Sequence, residues 1–86
     1  LGKIAVLDLH GNFANDLTVA DIADGRFPDL TELWLGANGI GDAGGRALAD
    51  SPHLPNLRLL DLRGNRVRDP AVRAALLRRF GPAVVK

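Results

Sequence analysis

Three segments of the chain share one order of apolar and polar positions. They read IAVLDLHGN at residues 4–12, LTELWLGAN at residues 30–38 and LRLLDLRGN at residues 57–65. In each segment the leucines at the fourth and sixth places alternate with outward positions, which is the period of a β-strand. The pattern predicts three strands whose inward sides carry the pairs Leu7 and Leu9, Leu33 and Leu35, and Leu60 and Leu62.

A segment with helical spacing follows each of the first two strands. These helices are predicted at about Asp16 to Asp24 and at about Asp42 to Asp50, and Ser51 with Pro52 ends the second. The second helix carries Ala43, Ala47 and Leu48 as apolar residues. Two sets fit the inward side of the first helix, either Leu17, Ala20 and Ala23 or Val19, Ile22 and Ala23.

The third helix has the clearest boundaries. Asp69 suits the N-cap, Pro70 suits the first helical position, and Gly81 marks the end. Its inward stripe is predicted to consist of Val72, Leu76 and Phe80.

The strand–turn–helix order therefore recurs three times, and Asn12, Asn38 and Asn65 mark the period. These asparagines stand 26 and 27 residues apart. A doubly wound sheet has no reason to repeat one nine-residue phrase, so the period favours a solenoid. We expect the repeated amide to satisfy backbone groups in each turn and to link successive turns as a ladder. The predicted repeats are residues 4–29, 30–56 and 57–82, followed by a short terminal strand at residues 83–86.

The phrases resemble the leucine-rich repeat family, whose pattern is L-x-x-L-x-L-x-x-N-x-I/L. The second repeat is similar to the ribonuclease-inhibitor-like subtype at Ile40, Gly44, Leu48, Ala49 and Leu54, and residues 76–81 resemble the last helix of bacterial arrays of this subtype. Ile4, Ala14 and Ala75 depart from the pattern. The resemblance implies a right-handed α/β solenoid with parallel strands on a concave face and helices on a convex face. It also implies a non-catalytic module that binds a protein partner.

The composition and the start of the chain indicate where the protein is located and how much of it is present. The 86 residues contain no Cys, no signal segment and no transmembrane run, which favours the cytoplasm and predicts no membrane association. The chain begins at Leu1 rather than Met, and only Lys3 could cap the sheet edge near residues 4–9. We therefore expect the C-terminal part of a longer array, either monomeric or continuous with further repeats.

The charge distribution raises the question of an acidic partner. Residues 1–57 carry a net charge of −5 and residues 58–86 a net charge of +6. The late arginines fit either an acidic partner or a solvated helix face. Nucleic acid is disfavoured, because no aromatic residues interleave with these arginines as stacking platforms.

Two motifs suggest chemistry that the repeat explains more simply. Gly39, Gly41 and Gly44 form a G-x-G-x-x-G followed by Asp61, as in a dinucleotide-binding unit. Asp8 and His10 resemble the D-x-H opening of metal-dependent phosphoesterases, whose other ligand motifs do not occur here. Both sets occupy positions that simply vary between repeats. The sequence therefore predicts no enzyme, no cofactor and no metal site.

Partner binding is predicted on the strand positions that do not enter the core. These are the third, fifth and seventh places of each phrase, namely Val6, Glu32 and Leu59, then Asp8, Trp34 and Asp61, then His10, Gly36 and Arg63. Trp34 is the candidate anchor, with Asp8 and Asp61 as its polar rim. Alternatively, Trp34 only packs over Glu32 or Leu59. A second functional hypothesis is a regulatory repeat domain that stimulates a GTPase or is attached to a catalytic domain.

Overall fold

The computed structural model describes residues 4–86 as three strands and three helices in strict alternation. The elements are β1 (Val6–Asp8), α1 (Asp16–Asp24), β2 (Glu32–Trp34), α2 (Asp42–Asp50), β3 (Leu59–Asp61) and α3 (Pro70–Phe80). The sequence places all three helices correctly. The proposed edge-capping residue Lys3 lies outside the described residues. No helix within residues 4–86 is long and apolar enough to cross a membrane.

The three strands form a parallel sheet in the order β1-β2-β3. Leu7 pairs with Leu33, and Leu33 pairs with Leu60, so equivalent residues of successive phrases stand side by side. The structure differs from the prediction of a terminal strand at residues 83–86. This segment contributes one isolated parallel bridge, between Leu60 and Val85, rather than a strand. The result is an α/β fold built from sequence-adjacent units.

The core lies between one face of the sheet and the helices. Leu33, Leu35 and Leu60 are fully buried and belong to one cluster with buried residues of all three helices, namely Val19, Ile22, Ala23, Leu48, Val72 and Leu76. Burying a leucine of this kind contributes roughly 1.5–3 kcal/mol. The structure selects Val19, Ile22 and Ala23 as the inward side of α1 and leaves Leu17 76% exposed.

Helix α2 lies between α1 and α3 and packs through two glycines. A Cβ atom at Gly44 would lie 2.6 Å from Asp16 Oδ1, and a Cβ atom at Gly45 would lie 2.9 Å from Val72 Cγ1. Both contacts are closer than ordinary packing permits, so the absence of side chains lets α2 approach its neighbours. Ala43, which the helical spacing offered as an apolar contact, is exposed.

The helix ends use different capping groups. Asn15 accepts a hydrogen bond from Thr18 N at 3.1 Å, and Asp69 accepts one from Ala71 N at 2.9 Å, so α1 and α3 cap themselves. The N-cap of α2 is Gly41, which has no side chain to offer. That helix therefore depends on a capping group from another repeat.

Candidate functional site

The face of the sheet turned away from the core, here called the open face, carries the predicted binding residues in rows. The register pairs Val6 with Glu32 and Glu32 with Leu59 in one row, and Asp8 with Trp34 and Trp34 with Asp61 in the next. Pairing continues beyond the strands, because Gly11 N donates to Gly36 O and Ala37 N donates to Arg63 O, both at 2.9 Å. Parallel pairing of equivalent positions thus brings the residues together as the alternation predicts.

Trp34 occupies the centre of these rows and is held in place by its neighbour. Its Nε1 donates a hydrogen bond to Glu32 Oε1 at 3.0 Å, and both residues are partly buried. Contact with Glu32, which the sequence offered as the alternative to a free anchor, is therefore present. It also fixes the orientation of the indole, so the ring presents one defined surface.

Asp61 is not the exposed rim residue that the strand alternation suggested. Its side chain is only 4% exposed, and Arg63 binds both carboxylate oxygens, with Nε to Oδ1 and Nη2 to Oδ2 each at 3.0 Å. Hydrogen bonds from the Arg63 side chain hold the pKa of Asp61 below its ordinary value, while burial opposes this change. Asp61 also raises the pKa of Arg63, chiefly by the same hydrogen bonds. The pair is a self-contained structural unit of the open face.

His10 covers the gap that Gly36 leaves in the third row. A Cβ atom at Gly36 would lie 2.6 Å from His10 Nδ1, so the imidazole occupies the space of the missing side chain. Asp8 Oδ1 accepts a hydrogen bond from His10 N at 3.0 Å, which shapes this turn. The sequence indicates this contact by Gly36, which stands at a position where the other phrases carry His10 and Arg63.

The asparagine ladder connects each repeat to the one before it. Asn38 Oδ1 accepts hydrogen bonds from Asn12 N at 2.8 Å and from Ala14 N at 3.0 Å. Its Nδ2 donates to Leu9 O at 2.9 Å and also to carbonyls of its own turn. Asn65 repeats the arrangement on the second repeat, with Asn38 N and Ile40 N as donors and Leu35 O as acceptor. These asparagines therefore act as structural links between repeats.

The glycine-rich loop is filled by a carboxylate of the protein itself. Asp16 Oδ1 accepts hydrogen bonds from Gly41 N at 2.7 Å and from Gly44 N at 3.1 Å. These amides at the start of α2 are the groups that a dinucleotide phosphate would need. Because Asp16 already takes that position, the geometry argues against the dinucleotide hypothesis and shows how α2 is capped.

Asp42 makes a related contact one repeat later, which is not among the residues predicted from the sequence. Asp42 Oδ1 accepts hydrogen bonds from Arg68 N at 2.8 Å and from Asp69 N at 2.9 Å, just before α3. Asp16, Asp42 and Asp69 share the 26- and 27-residue spacing of the asparagines. The periodic Asp was thus the available signal for a carboxylate that binds the following repeat.

The remaining chemical candidates also serve structure. Ser51 is buried, its Oγ donates to Ala23 O of the preceding repeat, and it accepts from His53 N at 3.2 Å, so it does more than shape the turn before Pro52. Within residues 4–86 no group of three or more His, Asp or Glu side chains could hold a metal ion. Asp8 and His10 therefore do not belong to such a cluster.

The late arginines divide into structural and exposed groups. Arg79 Nη1 donates to Leu48 O at 2.9 Å and so binds the C-terminal end of α2, where α2 has no basic residue of its own. Burial lowers the pKa of Arg79, and Asp50 partly offsets this effect. Arg63, which follows β3, and Arg73 of α3 line one surface cavity of about 330 Å³ together with Lys86.

The repeated strand–helix units and their asparagine ladder define a repeat protein, and comparison with known families identifies its kind. The family model described as Leucine Rich repeat matches residues 28–49 and again residues 53–74, together about half of the chain. The chain therefore belongs to the leucine-rich repeat family. Such repeats generally mediate protein–protein interaction and are typically non-catalytic. Neither a search of curated proteins nor a search of solved structures gave a match.

Proposed function

We propose that this chain is a non-catalytic module that binds a protein partner through the open face of its sheet, with Trp34 as the anchor. The observation that carries the proposal is the position of Trp34: it stands at the centre of the rows, and Glu32 fixes its ring through a 3.0 Å hydrogen bond. A large aromatic group that is already oriented loses little side-chain entropy on binding, and such residues dominate the energies of protein interfaces.

The charges of this face favour a partner with basic groups around an apolar contact. Asp61 is neutralised by Arg63, which forms its salt bridge at 3.0 Å. No such bridge to Asp8 or Glu32 occurs in the described part of the chain. These two carboxylates flank Trp34, so a Lys or Arg of the partner would gain both their attraction and contact with the indole ring. Affinity should consequently fall as salt is added, because carboxylates at an interface rim are screened.

The geometry also supports an array of the ribonuclease-inhibitor-like subtype. Each strand is followed by a helix of 9 or 11 residues, and equivalent residues pair across the sheet. Continued on the outer side of β1, such units would form a right-handed solenoid in which the open face becomes the concave side. Residues Val6, Leu59 and His10 would then extend the contact surface around Trp34.

A binding assay with matched aromatic variants tests the proposal. The wild-type chain, Trp34→Ala and Phe13→Ala are each used to capture partners, and a captured protein is then titrated against all three. Phe13 is the control because it is a large aromatic side chain, 91% exposed, at a loop position outside the rows of the open face. Far-UV circular dichroism verifies that each variant is folded.

Loss of binding in Trp34→Ala of about 30-fold or more, with little change in Phe13→Ala, is the expected result for an interface anchor. Equal affinity of the wild-type chain and Trp34→Ala would show that Trp34 is not the anchor. Affinity that depends on Arg66, Arg68 and Arg78 instead would move the site to the exposed basic residues.

A further inference from the structure

The last segment of the chain joins the sheet out of step with the repeats. Paired leucines of neighbouring strands stand 26 or 27 residues apart, whereas Leu60 and its partner Val85 stand 25 residues apart. Residues 83–86 also pair with β3 only as far as Leu62, whose N donates to Lys86 O at 3.1 Å. The pairing of β1 with β2 and of β2 with β3 continues further, into the turns that follow the strands. The turn after β3 therefore lacks the neighbour that both earlier turns have.

Two backbone N–H groups of this turn consequently have no acceptor among residues 4–86. In the second turn, Asn38 N and Ile40 N donate to Asn65 Oδ1 at 3.0 and 2.9 Å, and the equivalent groups of the first turn bind Asn38 in the same way. In the turn after β3 these groups are Asn65 N and Val67 N, and neither donates to another described residue. Because the repeats share one geometry, both N–H groups converge on a single position for an oxygen on the outer side of the turn.

A cavity of about 330 Å³, here called the terminal cavity, lies on this side of the turn. The turn contributes Asn65 and Val67 to its wall, and α3 and the segment that ends in Lys86 enclose it further. The rest of the wall is largely apolar and includes Leu62, Leu76, Leu77 and Val85. Sites for small molecules have volumes of roughly 300–1,000 Å³, so the terminal cavity is large enough for a small ligand.

The charged groups around the terminal cavity are all positive. Arg63, Arg73 and Lys86 line it, and no Asp or Glu of residues 4–86 does. Arg63 is already engaged, because it binds both carboxylate oxygens of Asp61. Arg73 and Lys86 are exposed and form no salt bridge in the described part of the chain. An anion in the cavity would thus meet two uncompensated positive charges in addition to the two N–H groups.

We propose that the terminal cavity binds a small organic carboxylate with a short apolar chain. One carboxylate oxygen accepts hydrogen bonds from Asn65 N and Val67 N, at the position that an asparagine Oδ1 holds in the earlier turns. Arg73 and Lys86 stabilise the negative charge. The apolar chain of the ligand packs against the wall around Leu76 and is thereby removed from water.

Other occupants fit this position less well. Lys86 O is engaged with Leu62 N, and residues 83–86 already pair with the outer side of β3, where a further strand therefore has no place. An inorganic anion would leave the apolar wall unused, and a neutral apolar molecule would leave both N–H groups without an acceptor. The proposal does not depend on the proposed function, because Trp34 does not line the cavity.

A titration followed by ¹H–¹⁵N NMR tests the proposal with hexanoate as the probe. Hexanol and hexylamine carry the same apolar chain without the negative charge, and acetate carries the charge without the chain. Arg73→Ala combined with Lys86→Ala removes the two uncompensated charges. Arg78→Ala is the matched control, because Arg78 is an exposed arginine of α3 that does not line the cavity. The spectrum of each variant also verifies that it is folded.

Hexanoate is expected to bind saturably with a Kd of about 1 mM or tighter. The amide protons of Asn65 and Val67 should show the largest downfield shifts, whereas those of Asn38 and Ile40 should change little because they are already bonded to Asn65. Acetate, hexanol and hexylamine should each bind at least about tenfold more weakly than hexanoate. The double variant should lose about tenfold in affinity, and Arg78→Ala less than about twofold.

Three outcomes would overturn the proposal. If hexanol or hexylamine binds as tightly as hexanoate, the cavity does not select a carboxylate. If hexanoate shifts other amides and leaves Asn65 and Val67 unchanged, the ligand binds elsewhere. If a short peptide with a single Glu binds at the same two amides more tightly than hexanoate does, the carboxylate belongs to a protein partner rather than to a small molecule.

Discussion

The asparagine ladder predicts a large difference between chemically identical substitutions. Asn38→Ala removes two bonds that Oδ1 accepts, at 2.8 and 3.0 Å, and three that Nδ2 donates, at 2.9, 3.0 and 3.2 Å. Asn12→Ala removes one bond of 3.2 Å from an exposed side chain. The same atoms are deleted in both variants, so only their surroundings differ.

The magnitude follows from the groups that are left without partners. The Ala14 N–H is buried and would lose its acceptor, which costs roughly 1–3 kcal/mol, and the other lost bonds contribute about 0.5–1.5 kcal/mol each where water cannot replace them. We therefore expect about 3–5 kcal/mol for Asn38→Ala and about 0.5 kcal/mol for Asn12→Ala. A chain of this length has roughly 4–13 kcal/mol of stability in total, so the first variant should be partly unfolded in water.

Urea unfolding measures this difference directly. Trp34 is the only tryptophan and is partly buried, so its fluorescence reports on unfolding, with far-UV circular dichroism as the second probe. Asn38→Asp is an informative companion, because it keeps an acceptor for Asn12 N and Ala14 N but directs a second oxygen at the carbonyl of Leu9. It should destabilise about as much as Asn38→Ala.

The reasoning is refuted if Asn38→Ala and Asn12→Ala lie within about 0.5 kcal/mol of each other at equal m-values. Such a result would mean that water replaces the amide in the turn and that the ladder is a consequence of the fold rather than a source of its stability.

Three further substitutions test other contacts of the fold. Gly45→Ala should destabilise by about 1–2 kcal/mol in thermal unfolding, because crowding against Val72 at 2.9 Å outweighs the gain of about 1 kcal/mol in helix propensity; a stabilised variant would show that the helices can separate. Arg79→Ala should cost about 1 kcal/mol more than Arg78→Ala in urea, since Arg79 binds the last turn of α2 and Arg78 is exposed; equal costs would contradict that contact. Asp61→Asn should make the free energy of unfolding less dependent on acid pH. The folded pKa of Asp61 is lowered, so its contribution to stability is present above about pH 4 and is lost as pH falls through the folded pKa. The same pH dependence of the urea midpoint in both proteins between about pH 5 and pH 2 would count against this.

The elements and the rows could be predicted because both depend on local period. Helices α1 and α2 have the predicted bounds, since Asp16 and Asp42 begin them and Ser51 with Pro52 ends the second. The rows of the open face follow once the phrases are aligned by their asparagines, because parallel pairing places equivalent residues side by side. Alternation and repeat spacing are visible in the sequence without knowledge of any long-range contact.

The features that could not be predicted depend on side-chain orientation and on contacts between repeats. Spacing alone admits both faces of α1, and only packing in the core selects Val19 over Leu17. The burial of Asp61 results from Arg63 folding back over it, which strand alternation does not describe. The sequence identifies Asp16 only as a helix start, because its hydrogen-bond partner Gly41 lies 25 residues away.

The aspartates and the asparagines link neighbouring repeats in opposite directions, and this affects how the molecule unfolds. Asp16 of the first repeat caps the second helix, and Asn38 of the second repeat closes the turn of the first. If α1 frays, α2 loses its cap, and if β2 detaches, residues 12–14 lose their acceptor. Neighbouring repeats should thus open as one cooperative unit, with similar exchange rates on both sides of their boundary, rather than peel from the end one at a time.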